Sequence, residues 1–291
     1  MKDTHYYHCA TDGLKDDVLF PSVNAFISGM NRIAVCFIKA QKSFPVLIFA
    51  FCLMDNHVHF VLYGTKDNCR KFMKTYQALT EIWLTNHPEE GSPGKKWNIG
   101  VWLLPDRDAL IEKIIYVLRN PMAAALPFTP NGYKWGSGTL LFNNDIALQY
   151  ADKLEAFHGY RQRYMFNTRE VLPQDWLVFK DGMIWPGCYT EYKRVEQLFR
   201  TAASFIYECN KKVEPKVNAE MKEDFVSLPD NEVSEKALAL AQSLFGKSKI
   251  SDLSVSQRTK VASLLKKQTE TSVKQLARIV RLKYEDLKLL I

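Results

Sequence analysis

The stretch FCLMDNHVHFVLY, residues 51–63, predicts two strongly apolar strands joined by a tight turn at Met54-Asp55-Asn56. His57 and His59 stand two residues apart in the second strand, so their side chains point to the same face. Burying two imidazoles in apolar surroundings costs free energy unless their nitrogens find partners, and one divalent metal can satisfy both rings. Hydrogen bonds to backbone or water at a strand end are the other explanation, so the pair alone does not establish a metal site.

A second feature is the helical pattern that runs from Asp106 to Pro121. Asp106 or Asp108 can cap its start, apolar residues recur at helical spacing, and the proline is expected to end it. Tyr116 and Asn120 are four residues apart and therefore share one flank of the helix. Only the phenol can act as a nucleophile, whereas the amide oxygen can complete a metal site with the two histidines. By itself, a tyrosine beside an apolar stripe is typical of packing.

The N-terminal half of the chain supplies the elements of an α+β fold. Strands are predicted at 5–11, 44–53, 57–63 and 97–104, and helices at 22–40 and 66–86. The order strand, helix, strand, strand, helix, strand is that of a ferredoxin-like antiparallel sheet, and the helix that carries Tyr116 follows it. In such a sheet, Phe60 packs against the first two helices. His57 and His59 then face the other side, where the Tyr116 helix can cover them.

Three stretches together resemble one known family. They are Tyr7-His8-Cys9-Ala10-Thr11, the hairpin from Phe51 to Phe60, and the Tyr-x-x-x-Asn-Pro pattern that starts residues 116–126, with a similar loop at residues 132–137. Through them, residues 1–145 resemble the single-tyrosine HUH transposases, which handle single-stranded DNA, and in particular the REP-associated tyrosine transposases. The resemblance implies that Tyr116 is the nucleophile. It also implies three metal ligands, which are His57, His59 and Asn120.

By the resemblance, the expected function is metal-dependent nicking and strand transfer of single-stranded DNA. Mg²⁺ or Mn²⁺ would polarise an oxygen of the scissile phosphate while Tyr116 attacks it. The tyrosine would keep the 5′ side of the break, and this 5′-phosphotyrosine bond stores the energy for rejoining. The family precedent indicates hairpin or palindromic DNA as the substrate, and a monomer or homodimer as the active form.

One element departs from the family pattern. The family usually has a Gly-Arg-aromatic-Lys element before the tyrosine helix, where this chain has Gly100-Val101-Trp102-Leu103. Two expected phosphate contacts are therefore missing, which affects the grip on DNA more than the chemistry. Lys113 and Arg119, three residues either side of Tyr116, are candidate contacts to DNA or to the phenol. Lys134, in the loop that follows, is a further candidate for DNA, and solvent-facing charge is the alternative for all three.

Charge is unevenly distributed along the 291 residues. Residues 234–291 hold 12 Lys and Arg against 5 Asp and Glu, whereas the remainder is balanced at 27 of each. A basic terminal module suits contact with nucleic acid, although a solvated helical surface has the same composition. Helices are predicted at 256–268, 272–280 and 284–291. Lys274 and Arg278 lie near the last turn of this group of helices. The three short helices suggest a helix-turn-helix-like unit that could contact DNA or protein.

The middle of the chain shows no recognised pattern. Residues 146–212 form an accessory region in which aromatic and basic residues alternate. Such a composition fits both stacking on single-stranded DNA and ordinary core packing with surface charges. Residues 213–233 are polar, contain two prolines and are predicted to be a linker. The predicted domains are thus a catalytic domain at 1–145, this accessory region, the linker and a basic helical module at 234–291.

Six cysteines without a Cys-x-x-Cys pair predict reduced thiols in the core of a cytoplasmic protein. Neither a signal peptide nor a membrane-spanning stretch is expected. Two other classes of function remain open. One is a non-catalytic DNA-binding regulator derived from a transposase. The other is a nucleotide hydrolase of the histidine-triad type, which requires a further alternating histidine where this chain has Val61.

Overall fold

The computed structural model describes residues 3–11, 19–88, 98–123, 129–143, 146–210, 230–269, 271, 273–282, 284–288 and 290. The chain divides into two compact units. The first contains the described residues up to 121 together with 129–210, so the accessory region belongs to the same unit as the predicted catalytic domain. The second contains Met122, Ala123 and the described residues from 230 onward. The protein has an α+β fold that is mostly helical.

The first unit contains a four-stranded antiparallel sheet. Its elements follow one another as β1 (His5–Thr11), α1 (Val23–Ser43), β2 (Leu47–Leu53), β3 (Val58–Gly64), α2 (Lys66–Asn86), β4 (Ile99–Leu104) and α3 (Arg107–Ala123). The strands lie in the order β2-β3-β1-β4. This sequence of elements is the predicted one. The ends of α2 are as predicted, whereas α1 ends three residues later and β4 begins two residues later than predicted.

The helices begin where capping residues predict. The hydroxyl of Ser22 accepts a hydrogen bond from the backbone N–H of Ala25 (3.1 Å) at the start of α1. Asp106 caps α3 in the same way, because its carboxylate accepts from the N–H of Ala109 (2.8 Å). The prediction that Pro121 ends α3 is wrong, since the helix continues to Ala123. Pro121 lies in the last turn, where the single hydrogen bond that it cannot donate is readily lost.

One face of the sheet packs against α1 and α2. The ring of Phe60 on β3 contacts Phe72 and Tyr76 of α2, at centroid distances of 5.5 and 5.7 Å. Cys9 on β1 contacts Cys69 of the same helix. Side chains alternate along each strand, so His57 and His59 are directed away from these helices. The prediction that Phe60 packs against the helices is confirmed.

The loop of residues 129–143 and the accessory region are attached to the edge of this sheet. The Tyr133 hydroxyl donates to the carbonyl of Leu53 (2.8 Å). Leu53 is the last residue of β2, just before the turn that leads to His57. Asn31 on α1 donates to the carbonyl of Gly182 (2.9 Å) and accepts from the N–H of Ile184 (2.8 Å). The accessory region has few regular elements, which are β5 (Asp152–Lys153), α4 (Gly159–Phe166), β6 (Leu177–Val178), α5 (Tyr192–Phe199) and α6 (Ala202–Asn210).

The second unit is a small helical module. Its elements are α7 (Asp230–Phe245), α8 (Val255–Thr269), α9 (Val273–Ile279) and α10 (Tyr284–Lys288). Val233, Ala237 and Ala241 recur every four residues on α7 and are buried in the core of the module. This apolar stripe explains why α7 already begins at Asp230, inside the range predicted as linker. The rest of that linker lies outside the described residues.

Two further observations concern the whole described chain. All six cysteines are free thiols, and only Cys188 is partly exposed. Among the described residues, no helix combines the length and the apolar character needed to cross a membrane.

Candidate active site

Three histidines meet on the side of the sheet that faces away from α1 and α2. His59 lies opposite Ala10 in the antiparallel pairing of β3 with β1, which places it diagonally across from His8. The two rings are nearly parallel, with a centroid distance of 5.3 Å and 11° between their planes. His57 precedes β3, and its ring meets that of His59 edge-on at 4.8 Å. The pairing of β1 with β3 therefore adds a third imidazole to the two of the hairpin.

The two contacts of His57 differ in length, and the shorter one favours a proton on Nδ1. Its Nδ1 lies 2.7 Å from Oδ1 of Asn56, an atom that can only accept, so His57 Nδ1 donates. In the neutral ring, Nε2 then carries a lone pair. It lies 3.5 Å from Oδ1 of Asn120, while the Asn120 amide nitrogen donates to the carbonyl of Tyr116 (3.1 Å). Two acceptor atoms thus face each other across a gap that suits a cation.

His59 presents a second buried nitrogen. Its Nδ1 and the Nε2 of His8 are 3.0 Å apart, and both side chains are completely buried. Its other nitrogen, Nε2, is also buried and has no hydrogen-bond partner among the residues that the structure describes. A buried polar atom without a partner is costly, and it is rare in folded proteins unless a ligand completes it.

All three imidazoles are held in the neutral form. Burial lowers the pKa of His8 and His59 well below the ordinary value, and the positive charge of Lys113 acts in the same direction. Burial also lowers the pKa of His57, although Asp55 and the nearby side chain of Asn120 act against it. A neutral imidazole retains the lone pair that a metal requires.

Tyr116 on α3 covers the histidines. Its ring lies edge-on to His59 and His8, at centroid distances of 5.3 and 5.7 Å. The ammonium of Lys113, one turn earlier on α3, is 4.6 Å from the centroid of the Tyr116 ring. The tyrosine is only 5% exposed. A phosphate group can therefore reach its hydroxyl only if α3 or the neighbouring side chains move.

The donor atoms fit a divalent cation, although no ready-made cluster of charged ligands exists. In the described part of the chain, three or more His, Cys, Asp or Glu side chains nowhere form a group that could hold a metal ion. The set available consists of two imidazole nitrogens, on His57 and His59, and the amide oxygen of Asn120. Both donor types bind Mn²⁺, and water can complete its coordination. Mg²⁺ prefers oxygen donors and fits this set less well.

No protein-family model, curated protein or solved structure matches this chain. The interpretation of the site therefore depends on the geometry of its own residues.

The basic residues predicted to contact DNA lie on different elements of the structure. Arg119 is on a different flank of α3 from Lys113, near Cys209 of α6, and partial burial lowers its pKa. Lys134 forms an ion pair with Asp181 (2.6 Å) on the surface of the first unit. Arg278 is exposed on α9 of the second unit. Lys274 is on the same helix, but its side chain lies outside the described residues. Of the five, only Lys113 contacts Tyr116 among the described contacts.

The two positions where the resemblance leads us to expect Arg and Lys are turned away from the site. Val101 pairs with Cys9 and Leu103 with Tyr7, so both share the sheet face that packs against α2. Trp102, between them, pairs with His8 and stacks on its ring at 5.3 Å. A basic side chain at 101 or 103 would therefore start from the face opposite to Tyr116. Of the expected Gly-Arg-aromatic-Lys element, this chain has the aromatic residue, Trp102, and its ring faces the histidines.

Sequence reasoning assigned no role to His8 or Trp102. The signal was present, because His8 is a third histidine in an apolar strand and belongs to one of the stretches that carry the resemblance. Its proximity to His59 depends on the pairing of strands 51 residues apart, which the sequence does not reveal.

Proposed function

We propose that this protein nicks single-stranded DNA and transfers the strand through a 5′-phosphotyrosine intermediate, in the manner of the single-tyrosine HUH transposases. The nucleophile is Tyr116, and the metal ligands are His57, His59 and Asn120. The metal is Mn²⁺ or Mg²⁺, and the substrate is hairpin or palindromic DNA.

One observation carries the proposal. Nε2 of His57, Nε2 of His59 and the amide oxygen of Asn120 belong to side chains gathered beside a tyrosine, in a buried site with an ammonium group next to it. A packing role explains the apolar contacts of Tyr116. It does not explain why acceptor atoms face one another without a donor between them, because such an arrangement costs free energy until a cation is bound.

The topology supports the same conclusion. The sheet order β2-β3-β1-β4, with two helices on one face and α3 over the other, is compatible with the ferredoxin-like arrangement that we infer. Such an arrangement is what the resemblance to the HUH enzymes implies. We therefore infer an HUH-type core in the first unit.

The proposed reaction has two steps, which are cleavage of the strand and its rejoining. The Tyr116 oxygen attacks phosphorus, the phenol loses its proton to solvent, and the bond from phosphorus to the 3′ oxygen breaks. The 3′ oxygen takes up a proton and leaves as a hydroxyl. In the second step, the 3′ hydroxyl of another strand attacks the phosphotyrosine and regenerates the phenol. A bound metal supplies Lewis-acid polarisation of the scissile phosphate.

The residues around Tyr116 have separate tasks in this scheme. The ammonium of Lys113 stabilises the negative charge that develops on the phenol oxygen, since opposite charges favour the charged form. Asn120 couples the nucleophile to the ligand set, because its amide donates to the Tyr116 carbonyl while its oxygen faces His57. The buried ring of His8 and the half-buried ring of Trp102 limit the access of water, which would hydrolyse the intermediate.

A labelling experiment tests the proposal. Single-stranded hairpin oligonucleotides, labelled at either the 3′ or the 5′ end, are incubated with the protein and Mn²⁺ or Mg²⁺ and separated on a denaturing gel. We expect a covalent protein band with the 3′ label alone, because the tyrosine keeps the 5′ phosphate of the downstream fragment. The band should need the metal and disappear in Tyr116→Phe. Tyr207→Phe, an exposed tyrosine on α6, is the matched control.

A non-catalytic DNA-binding regulator is the second candidate. The burial of Tyr116 favours it. A native gel distinguishes the two candidates: a retarded oligonucleotide without any covalent band on the denaturing gel supports the regulator.

A further inference from the structure

We propose that His8 is a positioning residue that fixes His59 in the one tautomer able to bind a metal. This inference rests on the proposed function, because it assigns a task at the same site. It concerns a residue of β1, which is outside the hairpin and outside the helix that supply the proposed ligands.

The contact itself is specific. Nε2 of His8 and Nδ1 of His59 lie 3.0 Å apart, which is a normal hydrogen-bond length for two nitrogens. Both rings are completely buried, so water does not compete for the bond. With two neutral imidazoles, one nitrogen of the pair must carry the hydrogen and the other must accept it.

Only one of the two arrangements permits metal binding. If His59 Nδ1 carries the hydrogen, it donates to His8, and the lone pair of His59 is at Nε2. If His8 donates instead, His59 Nε2 carries a hydrogen and cannot bind a metal. Nε2 is the nitrogen of His59 that has no hydrogen-bond partner in the described chain. His8 therefore has to accept, as carboxylates and backbone carbonyls do behind other metal-binding histidines.

The surroundings hold His8 in place for this task. Trp102 stacks on one side of the His8 ring, at 5.3 Å and 24°, and Tyr116 meets it edge-on at 5.7 Å. Its backbone is paired on both sides, with Val61 of β3 and Trp102 of β4. A ring confined in this way keeps its Nε2 directed at His59, so the orientation of the proposed ligand is set before any metal binds.

Metal binding provides the first test. Mn²⁺ affinity is measured by electron paramagnetic resonance for the full chain and for His8→Phe, His8→Gln and His59→Phe. Phenylalanine keeps the ring that packs on Trp102 but removes the acceptor. Glutamine places an amide oxygen near the position of Nε2 and restores it. We expect His8→Phe to weaken Mn²⁺ binding by about 10- to 100-fold, as is usual when a partner behind a ligand is lost. His8→Gln should bind nearly as tightly as the parent protein.

The tautomer provides a second test that needs no metal. In ¹⁵N NMR spectra of the metal-free protein with labelled histidine, we expect His59 to be protonated at Nδ1 and unprotonated at Nε2. In His8→Phe, this tautomer should give way to the other. Circular dichroism and thermal melting check that each variant is folded.

The outcomes separate the two proposals. If the parent protein binds no Mn²⁺, the metal-dependent function and the role of His8 both fail. If it binds Mn²⁺ through His59 and His8→Phe binds equally well, only the role of His8 is overturned. Protonation of His59 at Nε2 in the metal-free parent protein overturns it as well.

Discussion

The indole of Trp102 lies directly over Gly100, two residues earlier on the same face of β4, where a Cβ atom would overlap the ring. The space left by this missing side chain lets Trp102 lie flat against His8. A glycine inside a strand is otherwise unfavourable, and close approach of a neighbouring group is a common reason for one. The glycine therefore helps to position the rings of the candidate site.

Gly100→Ala should displace Trp102 from His8. Because the overlapping group is a rigid ring, we expect a loss of about 1–3 kcal/mol in the free energy of unfolding, together with a change in tryptophan fluorescence. Chemical denaturation monitored by circular dichroism measures the loss. Gly159→Ala, at the start of α4, is the control, since nothing lies within 4 Å of its Cβ position. Equal stability of the two variants would show that Trp102 has room to move.

The donor set predicts a metal preference. Two imidazoles and one amide oxygen suit Mn²⁺ better than Mg²⁺, so isothermal titration should give Mn²⁺ the lower dissociation constant, by on the order of tenfold. Asn120→Ala removes the oxygen that faces His57 and should weaken binding of either metal. Asn120→Asp replaces it with a carboxylate and should strengthen Mg²⁺ binding. Unchanged affinity in Asn120→Ala would exclude Asn120 as a ligand.

Stability in the presence of a chelator should depend on pH through His8 and His59. Burial lowers the pKa of both residues in the folded protein, so in acid the unfolded chain takes up protons first. The free energy of unfolding should be constant above about pH 7 and fall below about pH 6.5, by at most about 1.4 kcal/mol per pH unit for each histidine. Urea titrations between pH 5 and 8 measure the slope. A variant with both histidines replaced by phenylalanine should show a smaller slope.

The accessory region provides a candidate contact for single-stranded DNA on α4. Its aromatics divide into two groups: Trp176 and Tyr189 are buried in the core, whereas Tyr160 and Tyr164 are 84% and 82% exposed, one helical turn apart. Arg163 lines an adjacent cavity of about 540 Å³, as do Arg169 and His158. Exposed rings beside cations are what stacking on unpaired bases requires.

Replacing both Tyr160 and Tyr164 with alanine should weaken binding of single-stranded DNA by about 1–3 kcal/mol for each stacked base. Fluorescence anisotropy with an unpaired oligonucleotide measures the loss, and a duplex of the same sequence should show little change. Tyr207→Ala, another exposed tyrosine, is the control. A loss of the same size for the control or for the duplex would argue against stacking at α4.

Local signals in the sequence were sufficient for much of the fold. The apolar strands and the turn in residues 51–63, the capping residues Ser22 and Asp106, and helical periodicity predict the elements around the sheet, and the structure contains them in that order. These signals act over a few residues, so a single sequence can carry them. The end of α3 was misjudged because proline is tolerated in the last turn of a helix, where tertiary packing decides the boundary.

The sequence by itself determined the proximity of His57 to His59, and of Tyr116 to Asn120, since each pair is fixed by the repeat of one strand or one helix. Only the tertiary structure decided that the two pairs meet, that His8 lies behind His59, and that positions 101 and 103 face away from them. Those relationships depend on which strands pair and in which register. Pairing is a property of the assembled sheet, because each strand offers the same backbone groups to any neighbour.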